Sequence, residues 1–149
     1  MAIQLRPIDS DNIASVVRIR VTEAQELFVA PVVNSLAEAY VNQATAWPRA
    51  VFSDDVAVAF VMGSFDPKAE PDFFLCGIWR LNVDVEHQGK GFGRFAVESV
   101  FDEARRRDQA RATVLWVPGD GGPEGFWLSM GFEPTGEEFY GQTVGEIFL

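Results

Sequence analysis

The chain holds little of several things that usually announce a chemistry. Its single cysteine, Cys76, leaves no internal disulfide to form. One cysteine and one histidine, His87, give no ligand set, so no metal is expected. No apolar run approaches the ~20 residues of a membrane-spanning helix, so no membrane partner is expected. The opening MAIQLRPIDSD lacks a basic segment followed by an apolar one, and no signal peptide is read there. A reducing cytoplasm is the expected compartment. Positive charge is scarce, with 12 Lys and Arg against 22 Asp and Glu and a net charge of −10. That field repels phosphate backbones, so nucleic acid is not an expected partner, and it favours a small cationic molecule. Solubility alone explains the same acidity. Neither an internal repeat nor a low-complexity tract is present.

What the chain does have is apolar bulk. Hydrophobic residues make up 48% and aromatics 13%, too much for disorder. Residues 1–149 read as one domain, and a chain of this size buries roughly 68–70% of its extended surface without staples. Ile3–Ile8 alternates as a first strand. Apolar spacing from Ile13 predicts a helix to about Leu27, stopped by Pro31, and a second short helix capped by Asn34 or Ser35. Two strands follow with a turn at Ser53–Asp55, then an acidic loop from Asp66 to Asp72. Phe73–Val85 reads as the central strand. Phe92, Phe95, Ala96, Ser99, Val100 and Ala104 share one helical face, and Arg105–Arg107 suit the negative end of that helix as a solvated terminus. ATVLWV is a buried strand, EGFWLSM a short helix, and the tail a hairpin. The order predicts an α/β or α+β fold around one mixed sheet.

The stretch HQGKGFGR, His87–Arg94, places Gly89, Gly91 and Gly93 at alternate positions between a strand and a helix. Unpaired amides at a helix start, with no side chains in the way, form an anion site, and Lys90 and Arg94 add charge at its rim. A tight turn would also use glycine, but three exceed its need. GFGRFA satisfies a dinucleotide fingerprint taken alone. The next strand, however, ends at Pro118 without the acid that fingerprint needs about 20 residues on. The Walker pattern fails because Lys90 is followed by glycine.

Leu81–Gly93, LNVDVEHQGKGFG, resembles the acetyl-CoA signature of the GNAT superfamily of N-acetyltransferases. The signature is L-x-V followed by Q/R-x-x-G-x-G/A, met here by Gln88, Gly91 and Gly93. WLSMGF occupies the place of the family's late Y-x-x-x-G-F. Within the superfamily the chain is most similar to the diamine and polyamine acetyltransferase branch, on FVAPVVNSLAEAYV, WRLNVDVEHQGKGFGR and GFEPTGEEFYGQTVGEIFL. The resemblance implies a single GNAT-type domain, with a twisted mixed sheet of six to seven strands and about four helices. It implies transfer of an acetyl group from acetyl-CoA to a primary amine of a small cationic acceptor by direct attack. An acyl-CoA-binding module with little catalysis, or transfer to a peptide amine, are the alternatives.

The resemblance also assigns roles. The Val83 amide would polarise the thioester carbonyl, and the main chain around Val83 and Val85 would pair with the pantetheine arm. Gln88, Gly89, Lys90, Gly91, Phe92, Gly93 and Arg94 would hold the pyrophosphate. Asp120 stands where the family often has an asparagine facing the cofactor. A carboxylate must take the acceptor's proton, and Asp84, Glu86, Glu26 and Glu38 are the candidates. Trp127 replaces the tyrosine that protonates the departing thiolate, and an indole N–H is a donor but no useful acid. Tyr40 and Tyr140 are the tyrosines left to substitute. His87 and Cys76 read as a strand-end residue and a small buried hydrophobe. Exposed aromatics Phe139 and Phe148 permit a homodimer.

Overall fold

The computed structural model describes residues 2–149. Seven strands form one sheet: β1 (Ile3–Pro7), β2 (Ala46–Ser53), β3 (Val56–Phe65), β4 (Cys76–Val83), β5 (Arg111–Trp116), β6 (Glu133–Phe139) and β7 (Gln142–Phe148). Their spatial order is β1-β2-β3-β4-β5-β7-β6. Four helices cover the two faces: α1 (Ile13–Val16), α2 (Val32–Tyr40), α3 (Phe92–Arg106) and α4 (Glu124–Ser129). Element order and mixed sheet are those the sequence predicts, with seven strands and four helices. Neighbouring strands are antiparallel except β4 and β5, which α3 joins as a parallel crossover. None of the described helices is long and apolar enough to cross a membrane.

Each face carries its own core. Ile78, Val114 and Trp116 pack with Val97, Val100 and Phe101 of α3 and with Trp127 of α4. On the other face Ala50, Phe52, Phe60 and Met62 meet Val16, Val32 and Ala39. Helix α3 shows why its sequence folds: Phe92, Ala96, Val97, Val100, Phe101 and Ala104 form a buried stripe. Each large side chain so buried contributes about 1.5–3 kcal/mol. Phe95 lies at the rim of that stripe. The arginine run ends the helix as expected, with Arg105 on Asp102 (3.2 Å) and Arg106 and Arg107 on Glu103 (3.0 and 2.8 Å).

Three boundaries differ from the sequence reading. Helix α1 stops at Val16, not near Leu27, because the Arg20 main chain is drawn away. Its N–H donates to Asp84 Oδ1 (3.1 Å) and its carbonyl accepts the Val85 N–H (2.7 Å). Helix α2 begins at Val32, with Pro31 as its N-cap, so Ser35 lies inside it and not at its start. Strand β4 is shorter at both ends, since Asp72–Phe74 and Val85–His87 are 3-10 turns.

One irregularity aims the side chains of β4. Arg80 pairs with Met62 and Ile78 with Gly63, which leaves Trp79 as the extra residue of a bulge. Without it Ile78 and Arg80 would share a face. With it Ile78, Leu81 and Val83 pack toward α3, while Arg80 and Asn82 reach Glu38 and Ala30 on the α2 side.

Candidate active site

The sheet opens at its centre. Strands β4 and β5 pair through Gly77–Thr113 and Ile78–Val114 alone, then diverge. At the Gly77–Thr113 pair a Cβ on Gly77 would run into the Thr113 carbonyl, so glycine sets how closely the strands meet before parting. Beyond it the phase of β4 is fixed by Asp84 N–H, which donates to the Val58 carbonyl at 2.9 Å. Even-numbered residues therefore turn their amides to β3, and Leu81 and Val83 turn theirs into the gap. The Val83 carbonyl accepts from Gln88 Nε2 (3.0 Å), while the β4–β5 ladder supplies no acceptor for the Val83 N–H. The strand thus presents a fixed donor to whatever enters the gap.

The start of α3 stands beside it. Its N-cap, Gly91, has no side chain, and the first helical bond is Phe95 N–H to the Gly91 carbonyl (3.0 Å). The amides of Phe92, Gly93 and Arg94 have no intrahelical acceptor and carry the positive end of the helix dipole. The three glycines serve different ends. Gly89 and Gly91 have φ of +76° and +88°, with nothing within 4 Å of where a Cβ would sit. Gly93 is buried, and a Cβ there would lie 3.3 Å from both Phe126 Cε1 and Val83 Cγ2. It serves packing more than anion approach. Phe92 sends its ring into the core. Lys90 is exposed, and Arg94 leans on the Ser129 carbonyl at 3.4 Å.

The remaining sequence candidates fall unevenly. The Val85 amide is already engaged by Arg20, so the strand-like partner for a ligand ends at Val83. The Gln88 side chain is engaged too, exchanging bonds with Gln25 (2.7 and 3.2 Å) besides its bond to Val83. Asp84 lies on the face opposite Val83, as alternation predicts, but its oxygens are filled. Arg20 N–H, Glu86 N–H (3.4 Å) and His87 Nδ1 (3.0 Å) converge on it, which makes it a cap for the turn. Glu38 is held by Arg80 (3.1 Å). Glu26 is exposed on the 3-10 turn Gln25–Leu27, which the Gln25–Gln88 pair ties to the Val83 carbonyl. Asp120 is exposed in the loop after β5.

Trp127 is buried to 6%, edge-on to Phe132 at 5.6 Å, and belongs to the α3-side core. Tyr40 and Tyr140 are 75% and 90% exposed. Phe139 is half-buried against Phe73 and Phe74, whereas Phe148 is 73% exposed. Burial pushes the Cys76 thiol up to about 11, which removes it as a nucleophile near neutrality. Among the described residues no group of three His, Cys, Asp or Glu side chains is placed to hold a metal ion.

Three residues of the site carry no motif. Gln25 pairs with Gln88 across 63 positions. Phe126 packs where Gly93 lacks a Cβ, and Phe28 fits against Gly119 and Gly122 of the β5–α4 loop. A signal existed for Phe126 and Phe28, in the glycines each needs opposite, and none for Gln25. On the α2 face a cavity of about 700 Å³ runs from Arg80 and Leu115 past Trp79, Phe139, Asp66 and Glu70.

Residues 14–132 match the profile of the acetyltransferase (GNAT) family. The search of curated proteins finds no match. Among solved structures, the chain is similar to an acetyltransferase from Thermus thermophilus (TM-score 0.77, 16% identity, 100% of this chain and 98% of that one). It is similar also to the PaiA N-acetyltransferase from Thermoplasma acidophilum in complex with coenzyme A (0.73, 10%, 100% of both). A third is the ribosomal-protein-S5-alanine acetyltransferase from Vibrio fischeri (0.66, 17%, 98% and 92%). At these identities the likeness speaks for the fold. The family match covers most of the chain, and the opened sheet with a bare helix start fits it: the protein belongs to the acetyltransferase (GNAT) family.

Proposed function

We propose that this acetyltransferase moves the acetyl group of acetyl-CoA to a primary amine of a small cationic acceptor by direct attack. The observation that carries the reading is the unpaired Val83 amide in the β4–β5 gap, next to the uncapped start of α3. In this reading the amides of Phe92, Gly93 and Arg94, the open backbone at Gly89 and Gly91, and Lys90 hold the pyrophosphate. Val83 N–H holds the thioester oxygen as it gains charge, a pre-aimed donor that contributes about 3–4 kcal/mol. An alkylammonium, with a pKa of ~10.4, must lose its proton first. Glu26 and Glu86 are the candidate carboxylates with no side-chain partner among the described residues, and Glu26 is the one on the turn that the Gln25–Gln88 pair ties to Val83. The amine lone pair then forms the C–N bond and the C–S bond breaks. The thiolate, with an acidity near the ~8.5 of cysteine, leaves without the family's tyrosine.

The acceptor would lie in the cavity on the α2 face, where Asp66 and Glu70 stand with Lys68 and Arg80 and where Trp79 and Phe139 offer ring faces to a cation. The polyamine-like class rests on those ring faces and on the net charge of −10. We further propose a cytoplasmic protein, on its single buried thiol, and a homodimer that covers Phe148. One observation favours a second reading, a module that binds acyl-CoA with little turnover: Trp127 lies in the core and offers no acid.

A thiol-release assay decides among them. Spermidine, shorter diamines, an aminoglycoside and an alanyl peptide are each offered with acetyl-CoA. Release with the amines and not with the peptide supports the proposal, and release with the peptide alone reassigns the acceptor. No release from any acceptor, with acetyl-CoA binding intact by calorimetry, establishes the binding module instead.

A further inference from the structure

Four buried side-chain polar atoms find no hydrogen-bond partner among the described residues: Ser35 Oγ, Arg80 Nε, Asn82 Oδ1 and Trp116 Nε1. Trp116 belongs to the core on the α3 side. The other three belong to α2 and β4, Ser35 to the helix and Arg80 and Asn82 to the strand. Two contacts bracket the place. Asn82 Nδ2 donates to the Ala30 carbonyl just before α2 (3.0 Å), and Arg80 Nη2 donates to both Glu38 oxygens near its end (3.1 and 3.3 Å). Helix α2 therefore runs from the Asn82 end of β4 toward Arg80, and Ser35 lies between the brackets, about one turn before Glu38. Alternation gives Arg80 and Asn82 the same face, about 6.6 Å apart along the strand, and the bulge at Trp79 turns that face to α2.

The three atoms are chemically complementary yet do not satisfy one another. Arg80 Nε–H only donates, Asn82 Oδ1 only accepts, and the Ser35 hydroxyl does either. The Asn82 orientation is set by its neighbour, because only an NH2 group can donate to the Ala30 carbonyl. Ser35 and Asn82 are 0% and 2% exposed, too deep for a substrate. Buried water typically makes about three bonds to polar groups that the protein leaves unpaired. One molecule would donate to Asn82, accept from Arg80 and bond Ser35 either way.

We infer that an ordered internal water bridges Ser35 Oγ, Arg80 Nε and Asn82 Oδ1, and that it fixes α2 to the strand whose next residue presents the free Val83 amide. Asn82 and Ser35 are positioning residues in this scheme. They touch no substrate, but they hold the helix that carries Glu38 in register with β4. Arg80 joins the water to the cavity, since the same residue lines the cavity wall.

A crystal structure at high resolution tests the first half without any assay of activity. One water within about 2.7–3.2 Å of all three atoms is expected. A dry seam, or Ser35 Oγ bonded directly to Asn82 Oδ1, overturns the inference. The Ser35→Ala variant tests the second half, because it removes one partner and keeps the helix. Its Tm should fall by about 2–4 °C. The KM of the amine identified by thiol release should rise about fivefold, with the Kd of acetyl-CoA unchanged. A lower Tm with an unchanged KM reduces the water to a structural filler and overturns the positioning role.

Discussion

At the scale of single residues, glycines of one motif separate by what surrounds them. Gly91 sits at φ +88° with open space where a Cβ would be, so its demand is conformational. Gly91→Ala should cost about 1–2 kcal/mol for the left-handed backbone, or about 2–8 °C in Tm, and should weaken acetyl-CoA binding by calorimetry. Gly93 has an ordinary φ and a crowded Cβ position, 3.3 Å from Val83 and Phe126. Gly93→Ala should leave acetyl-CoA affinity nearly intact while displacing Val83 by tenths of an ångström. Steady-state kinetics should then show kcat falling about tenfold, as expected when a fixed donor is moved. Equal losses of binding in both variants would refute this division. Cys76 yields a prediction in pH. Its thiol titrates at about 11 in the folded chain against an ordinary 9.0, so the unfolded chain loses the proton first as pH rises. Below about 9 the thiol adds no pH dependence, and between about 9 and 11 its buried neutral form costs stability. Denaturant midpoints measured across that range should fall in the native protein and fall less in Cys76→Ala. A thiol reagent at pH 8 should label the protein only after denaturation.

At the scale of elements, the turn Val85–His87 decides what Asp84 does. Three donors converge on its carboxylate, which is the arrangement of a cap and not of a base waiting for a proton. Asp84→Ala should lower stability by about 0.5–2 kcal/mol, as lost caps do, and free the Arg20 segment. At saturating acetyl-CoA, kcat should fall far more in Glu26→Gln than in Asp84→Ala. A kcat lost with Asp84 and kept without Glu26 would exchange their roles. The same turn shows where sequence was legible and where it was not. Helix α3 could be read because its buried stripe is periodic within fifteen residues. The Q-x-x-G-x-G run could be read because amides at a helix start need bare backbone locally. Helix α1 could not be bounded, since the bonds that Arg20 donates to Asp84 and accepts from Val85, more than sixty residues away, end it. The bulge at Trp79 left no trace in composition, yet it alone places Arg80 on the α2 face. Trp127 occupies the motif position of an acid, and only packing against Phe132 reveals a core side chain.

At the scale of the whole molecule, the sheet is nearly two sheets. Strands β1–β4 and β5–β7 share two residue pairs, Gly77–Thr113 and Ile78–Val114, and are otherwise joined by α3 and its core, by the Thr113 hydroxyl on the Phe73 and Cys76 carbonyls, and by Phe139 against Phe73 and Phe74. A ligand lying in the gap would complete hydrogen bonds that the fold leaves open and would tie the halves together. Coenzyme A at a hundred times its Kd should stabilise the native state by about 2.7 kcal/mol and raise Tm by about 5–10 °C. Where that stabilisation acts can be read by amide exchange. In the free protein the Leu81 and Val83 amides face the gap and should exchange quickly, although the residues on either side, bonded to β3, exchange slowly. With coenzyme A bound, Val83 and the amides of Phe92, Gly93 and Arg94 should slow together. The Val85 amide, held by Arg20 at 2.7 Å, should be slow throughout. A Val83 amide already protected in the free protein would mean that the gap closes on itself and offers no donor. The strand could then neither grip a thioester nor stabilise its oxyanion. Protection of Val83 without the helix amides would place the ligand in the gap but leave the glycine motif without its anion.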